Sequence, residues 1–257
     1  MKLLKLLAFF LMIFPLYCFA ATFADNNAPE YNLQNLQNFF ADYYLLNSQT
    51  DTTGTVILAP NQAVKNGDTL YVRITGAPPQ AGEYLAFAQF DSYFYPAGKT
   101  LLGQGFTPIA KLTWQRNPSA NVAEFSVTAL YQAVAPDAKV IAIDQLPNYR
   151  SFSPYYPRQN VCGNILDSAA HLQNFSLYQT LIISLGRADG LHAGALLPIT
   201  SPPSTAQDPT DPDNTLVLPS KIVGTVMLYS LTDHLSLALV VQAKQELNLH
   251  NLICNVD

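Results

Sequence analysis

Asn66-Gly67-Asp68-Thr69-Leu70-Tyr71-Val72-Arg73-Ile74-Thr75-Gly76, followed by Pro78-Pro79, decides how the chain is read. Gly67-Asp68 is a turn signal; Thr69 to Ile74 alternates and is β-branched, and glycine and two prolines stop it, so the stretch is a strand between turns. The pattern returns 111 residues later as Thr180-Leu181-Ile182-Ile183-Ser184-Leu185. Four more segments repeat around it. Gly54-Thr55-Val56 is answered by Gly163-Asn164-Ile165, Ala81 to Leu85 by Ala193 to Leu197, Ile109 to Leu112 by Val223 to Val226, and Phe125 to Ala129 by Leu235 to Leu239. Taken with the first pair, the offsets are 109, 111, 112, 114 and 110, which indicates an internal duplication of about 110 residues. Each copy supplies five to seven short strands, enough for a small closed or nearly closed barrel. The expected fold is all-β: two tandem related β-barrel-like domains, residues 54–146 and 161–257, preceded by a short N-terminal helix.

Upstream, residues 29–46 place Leu33, Leu36, Phe39, Phe40, Tyr43 and Tyr44 at three-and-four spacing behind Pro29, which predicts an amphipathic helix. Its aromatic stripe is expected to dock on the barrels; a free partner-binding helix is the alternative. Residues 21–53 thus hold helix and linker. Between the copies, residues 147–160 carry Pro147, Pro154 and Pro157 among tyrosines, an extended connector whose aromatics are expected to pack across both barrels. Ser201 to Asn214 contains Pro202, Pro203, Pro209 and Pro212 without a large apolar residue, and reads as an exposed, protease-sensitive loop.

Residues 1–20 start with Lys2 and Lys5, continue through an apolar run too short to span comfortably, and end at Cys18-Phe19-Ala20. That is the pattern of a secretory signal cleaved after Ala20; a retained anchor and a lipoprotein signal are the rivals, and Tyr17 before Cys18 disfavours the latter. The expected location is therefore periplasmic or secreted, with no membrane span after cleavage. Cleavage leaves 11 basic against 18 acidic residues, a formal charge of −7. With no basic run to neutralise phosphates, nucleic acid is excluded as a partner. Only 12% of residues are charged while 49% are apolar, which excludes disorder for most of the chain. Cys162 and Cys254 then remain in a compartment that permits a disulfide, with two buried free thiols as the alternative.

Catalytic patterns are weak. His171, His192, His234 and His250 lack zinc-ligand spacing, Cys162 with His171 is a poor thiol–base pair, no Gly-x-Ser-x-Gly occurs, and glutamates after residue 53 are few: Glu83, Glu124 and Glu246. Asp189-Gly190 reads as a turn, with a cation ligand as the rival. No catalytic, cofactor-binding or metal residue is assigned, no cofactor is expected, and the chain is read as a non-enzyme.

Gly67-Asp68-Thr69-Leu70 also looks like the opening of a LysM peptidoglycan-binding module, but a strand continues it where LysM needs a helix. A broader resemblance covers Gly54 to the end. It rests on Gly67 to Val72, Tyr95-Pro96 with Leu102-Gly103, Pro154 to Ile165, Leu185-Gly186-Arg187-Ala188-Asp189-Gly190-Leu191 with Gly194, Leu218-Pro219, Val223 to Val226, and Ser236 to Val240. In these the chain resembles the region that follows the LysM module in a family of Gram-negative cell-envelope proteins. The resemblance implies an envelope protein associated with peptidoglycan. Helix and linker stand where LysM would be, and Pro136-Asp137-Ala138 and Asn248 to Asn251 replace the usual closing Gly-Asp, so no binding residue is carried over. The expected function is a non-catalytic envelope scaffold or adaptor acting through protein–protein contacts, its partner unnamed. A direct peptidoglycan or polysaccharide binder using Trp114 or Tyr155 and Tyr156 is the second reading, and a hydrolase the third.

Overall fold

A computed structural model describes residues 31–46, 52–57, 63–96, 98–146 and 152–255. The expected signal and its cleavage after Ala20 lie outside the described residues, as do linker residues 47–51 and connector residues 147–151. The strands are β1 (Tyr44–Leu46), β2 (Gly54–Ile57), β3 (Thr69–Ile74), β4 (Glu83–Phe94), β5 (Leu101–Ser119), β6 (Val122–Leu130) and β7 (Lys139–Ala142). After the connector come β8 (Val161–Ser168), β9 (Asn174–Phe175), β10 (Thr180–Ile183), β11 (Leu196–Thr200), β12 (Ser204–Asp208), β13 (Asp211–Leu218), β14 (Ile222–Leu231), β15 (Ser236–Ala243), β16 (Leu247–Asn248) and β17 (Leu252–Asn255).

Two six-stranded antiparallel barrels result. The first closes in the order β5-β4-β7-β2-β3-β6 and back to β5, the second in the order β14-β11-β17-β8-β10-β15 and back to β14. The two rings are the same circuit, strand for strand. Register carries the equivalence down to individual pairs: Val56 faces Val72 as Ile165 faces Ile183, Leu70 faces Phe125 as Leu181 faces Ala238, and Tyr84 faces Leu112 as Leu197 faces Val226. The sequence matches at β2/β8, β3/β10 and β5/β14 hold. Those for β4 and β6 need correction, because the pairing equates Tyr84 with Leu197 and Phe125 with Ala238, each an offset of 113 rather than 112 and 110. An odd slip turns a strand's side chains to the other face. Leu85, matched to Leu197 by sequence, packs outside the first barrel with Phe87 and Ile141, whereas Leu197 lies inside the second.

Alternation then defines the interiors. Val56, Leu70, Val72, Tyr84, Ala86, Ile109, Leu112, Phe125 and Val140 fill the first barrel; Ile165, Leu181, Ile183, Leu197, Ile199, Val226, Leu228, Val240 and Ile253 fill the second. Barrels of this size are packed by side chains rather than open to a ligand.

The helix expected over 29–46 is shorter. Leu33–Leu36 is α-helical, capped by Asn32, and one 3₁₀ turn follows at Gln37–Phe39. Tyr44 to Leu46 instead pair as β1 with Phe106, Gly105 and Gln104 of β5. A short isolated helix is marginal in water, so an open strand edge wins these residues. Docking itself is as expected. Leu36, Tyr43 and Leu45 are buried against Ile182, Met227, Tyr229, Leu237 and Leu239 on the outside of the second barrel, with Phe40 stacked on Tyr229 at 4.1 Å between centroids.

A second correction concerns Ser201 to Asn214. It is no loop but most of an antiparallel ribbon, β12 against β13, whose Pro209-Thr210 turn is held by Asp208 Oδ1 accepting from the Thr210 N–H and hydroxyl. Residues 201–211 are exposed or half-buried, as expected.

Candidate functional site

The barrels leave three outward features: the seam between them, the two hairpin arms and the aromatic surfaces. Both arms arise at the same place in the duplicated circuit. In the first barrel β4 and β5 run on past the barrel wall as one hairpin, and in the second β12 and β13 continue the connection from β11 to β14. Each arm is a two-stranded ribbon beyond the ring.

Their surroundings differ. The first arm buries Tyr93 and Leu102 in the seam beside Leu235 and Leu237, and accepts β1 as a third strand. On the second arm Leu216 (42% exposed), Val217 (72%) and Leu218 (38%) stay open on both faces, and among the described residues the β12–β13 sheet has two strands.

At the seam, β8 ends in a turn. Ser168 Oγ accepts from Leu172 N–H and the Ser168 carbonyl accepts from His171 N–H, with His171 at φ 53, a left-handed conformation that histidine tolerates better than most residues. His171 Nδ1 lies 2.7 Å from Asp167 Oδ2 and 3.7 Å from Asp91 Oδ2, the latter on the first arm. Ligand atoms of all three residues lie within 4.8 Å of one another. Beneath them the Tyr43 and Tyr93 hydroxyls share a buried 2.8 Å hydrogen bond. Burial, then the nearby Asp91 and Asp167 carboxylates, push the Tyr43 phenol up to about 12, although its hydrogen bond with Tyr93 pulls the other way. The Tyr93 phenol is raised too, by burial first and then by the bond to Tyr43. Sequence reading gave none of the histidines a ligand role, and nothing local signals this trio: Asp91 and Asp167 meet only because the arm crosses the seam.

The other histidines do not converge. His192 stacks on Tyr155 at 4.3 Å, His234 lies 6.3 Å from the Tyr95 ring, and the His250 N–H donates to Asn248 Oδ1. Cys162 and Cys254, directly opposed on β8 and β17, form a disulfide, so the bridge joins the first and last strands of the second barrel and leaves Cys162 no nucleophilic role. Asp189 is structural: its Oδ2 accepts from the Gly186 N–H in a turn that Gly190 closes at φ 76.

Trp114 packs half-buried at the edge of the first core, its Nε1 donating to Asn117 Oδ1. Tyr155 belongs to the second barrel. Its hydroxyl accepts from the His192 N–H at 3.1 Å, its ring is covered on one side by His192, and burial raises its phenol. Tyr156 is 40% exposed. No ring contact joins Trp114 to either tyrosine among the described residues. Of the connector aromatics, Phe152 packs into the seam, while Tyr155 serves the second barrel alone.

Depressions of about 550 Å³ lie beside Pro78-Pro79 and beside Phe175-Ser176, both on the surface. In the first, Glu83 is engaged by Lys111 at 2.7 Å. No helix among the described residues is long and apolar enough to cross a membrane. Neither a family model nor a curated protein matches the chain.

Proposed function

We propose that the protein is a non-catalytic, exported cell-envelope scaffold or adaptor, and that its docking element is the second arm. One observation carries this reading: of two arms at equivalent places, the first is augmented by the extended segment Tyr44 to Leu46, while the second shows Leu216, Val217 and Leu218 to solvent and, among the described residues, no third strand joins its ribbon. An isolated two-stranded ribbon is marginal on its own and gains by a third strand. Strand addition supplies main-chain hydrogen bonds, and alternating apolar side chains select the sequence. The occupant is thus an extended apolar segment of another envelope protein. Packed barrel interiors and the resemblance to post-LysM envelope regions support the same reading.

A photo-crosslinking residue at Val217 in the exporting cell tests it. Expected is a discrete adduct that Leu216→Asp abolishes, with none from a control placed at exposed Tyr131. Absence of an adduct, together with saturable co-sedimentation on purified peptidoglycan, would replace this reading with the glycan binder.

A further inference from the structure

We propose that Asp91, Asp167 and His171 bind one divalent transition-metal ion of the zinc class, which stitches the first barrel's arm to the second barrel. The donors are a histidine nitrogen and two carboxylate oxygens, each a ligand type that zinc takes, and three protein ligands leave a fourth position for water. Two ligands at about 2.0–2.1 Å from a tetrahedral ion lie about 3.3 Å apart. The Nδ1–oxygen separations of 2.7 and 3.7 Å straddle that value, so a small rotation of the half-exposed Asp91 carboxylate completes the cradle.

Charge and support point the same way. Two carboxylates converge from different barrels, and among the described residues the only ion pairs they make are with His171; no lysine or arginine pairs with either. Asp167 Oδ1 accepts from the Ser168 N–H at 2.7 Å, and Ser168 in turn fixes the loop that carries His171. Such outer contacts orient ligands before an ion arrives. Calcium and magnesium are disfavoured because they take six or more oxygen ligands, or near-ideal octahedral oxygen, whereas a ring nitrogen is central here.

The test uses the mature chain stripped of metal, titrated with Zn²⁺ by calorimetry in the presence of excess Mg²⁺. Expected is one ion per chain, with affinity at least tenfold weaker in each of D91N, D167N and H171N; asparagine at 171 keeps a residue that accepts the left-handed backbone. Amide exchange at Ser92 and Tyr93 should slow on adding Zn²⁺ to the wild type and not to D91N. Melting of each metal-free variant shows whether its fold is kept, and any two folded variants decide the matter. Unchanged affinity in those variants places the ion on surface histidines such as His192 or His250 and overturns the site; so does the absence of binding.

Discussion

The two barrels run one circuit with different cores. Where the first holds Phe125 against small residues, Ala86, Ala110 and Ala123, the second has Ala238 at the place of Phe125 and Ile199 at that of Ala86. A large side chain has moved from one strand to another at roughly conserved volume, which cores tolerate better than a net loss. The closure differs too. β2 and β7 are joined by two register pairs, while β8 and β17 are joined by four and by the Cys162–Cys254 bridge. The circuit survives both changes, which shows that inside–outside alternation, rather than any one residue, specifies it.

Removing the large residue from the first core should have the largest effect. Phe125 is fully buried and packs edge-on to Tyr84 at 5.0 Å, so Phe125→Ala is expected to cost about 3–5 kcal/mol in denaturant unfolding. Adding Ala86→Ile, which copies the second barrel's arrangement, should recover part of that loss. No recovery would mean that the two cores are not interchangeable at this pair.

Next comes the bridge. Cys162→Ser with Cys254→Ser should lower the second barrel's stability by roughly 2–5 kcal/mol and leave the first barrel's transition in place, as followed by barrel-specific fluorescence at Trp114. If Trp114 reports the same loss, the barrels unfold as one unit through the seam.

The seam itself is sensitive at Gly105. A Cβ there would enter the Tyr43 ring and hydroxyl, and Tyr43 is buried and bonded to Tyr93, so it has no easy retreat. Gly105→Ala is expected to cost about 1–3 kcal/mol and to loosen β1 in amide exchange. The Tyr43 phenol adds a pH signature. Its folded value is raised from 10.0 to about 12, so the folded state holds the proton more tightly than the unfolded chain. Its contribution is fully present below pH 10 and is lost as pH rises from 10 to about 12. Tyr43→Phe should flatten that part of the stability profile.

Much of this architecture was legible in the sequence, because strands with one buried face announce themselves by alternation and the duplication doubles the signal. Register was not: Ala81 to Leu85 and Phe125 to Ala129 matched their counterparts by residue type, yet pairing depends on neighbours that only the closed barrel supplies. Tyr44 falls on the helical stripe begun by Leu33 and Leu36, but the free edge of β5 draws it, with Leu45 and Leu46, into a strand. Leu216 to Leu218 lay just beyond the proline-rich stretch that suggested a loop, and the pairing of Val217 with Thr205 makes it a ribbon. The trio at the seam was illegible for a stronger reason, since Asp91 and His171 belong to different copies and meet only after one arm has crossed to the other barrel.

The smallest expected effect bears most on function. Val217 is 72% exposed, so Val217→Asp should change stability by less than about 0.5 kcal/mol. The corresponding change on the first arm, Leu102→Asp, places a charge in the seam beside Leu235, where the residue is 5% exposed, and should destabilise strongly. One arm would then be sensitive in the isolated protein and the other only in the envelope. If Val217→Asp destabilises the purified chain instead, the second arm is already covered by residues of its own chain, and the difference between the arms on which the docking proposal stands disappears.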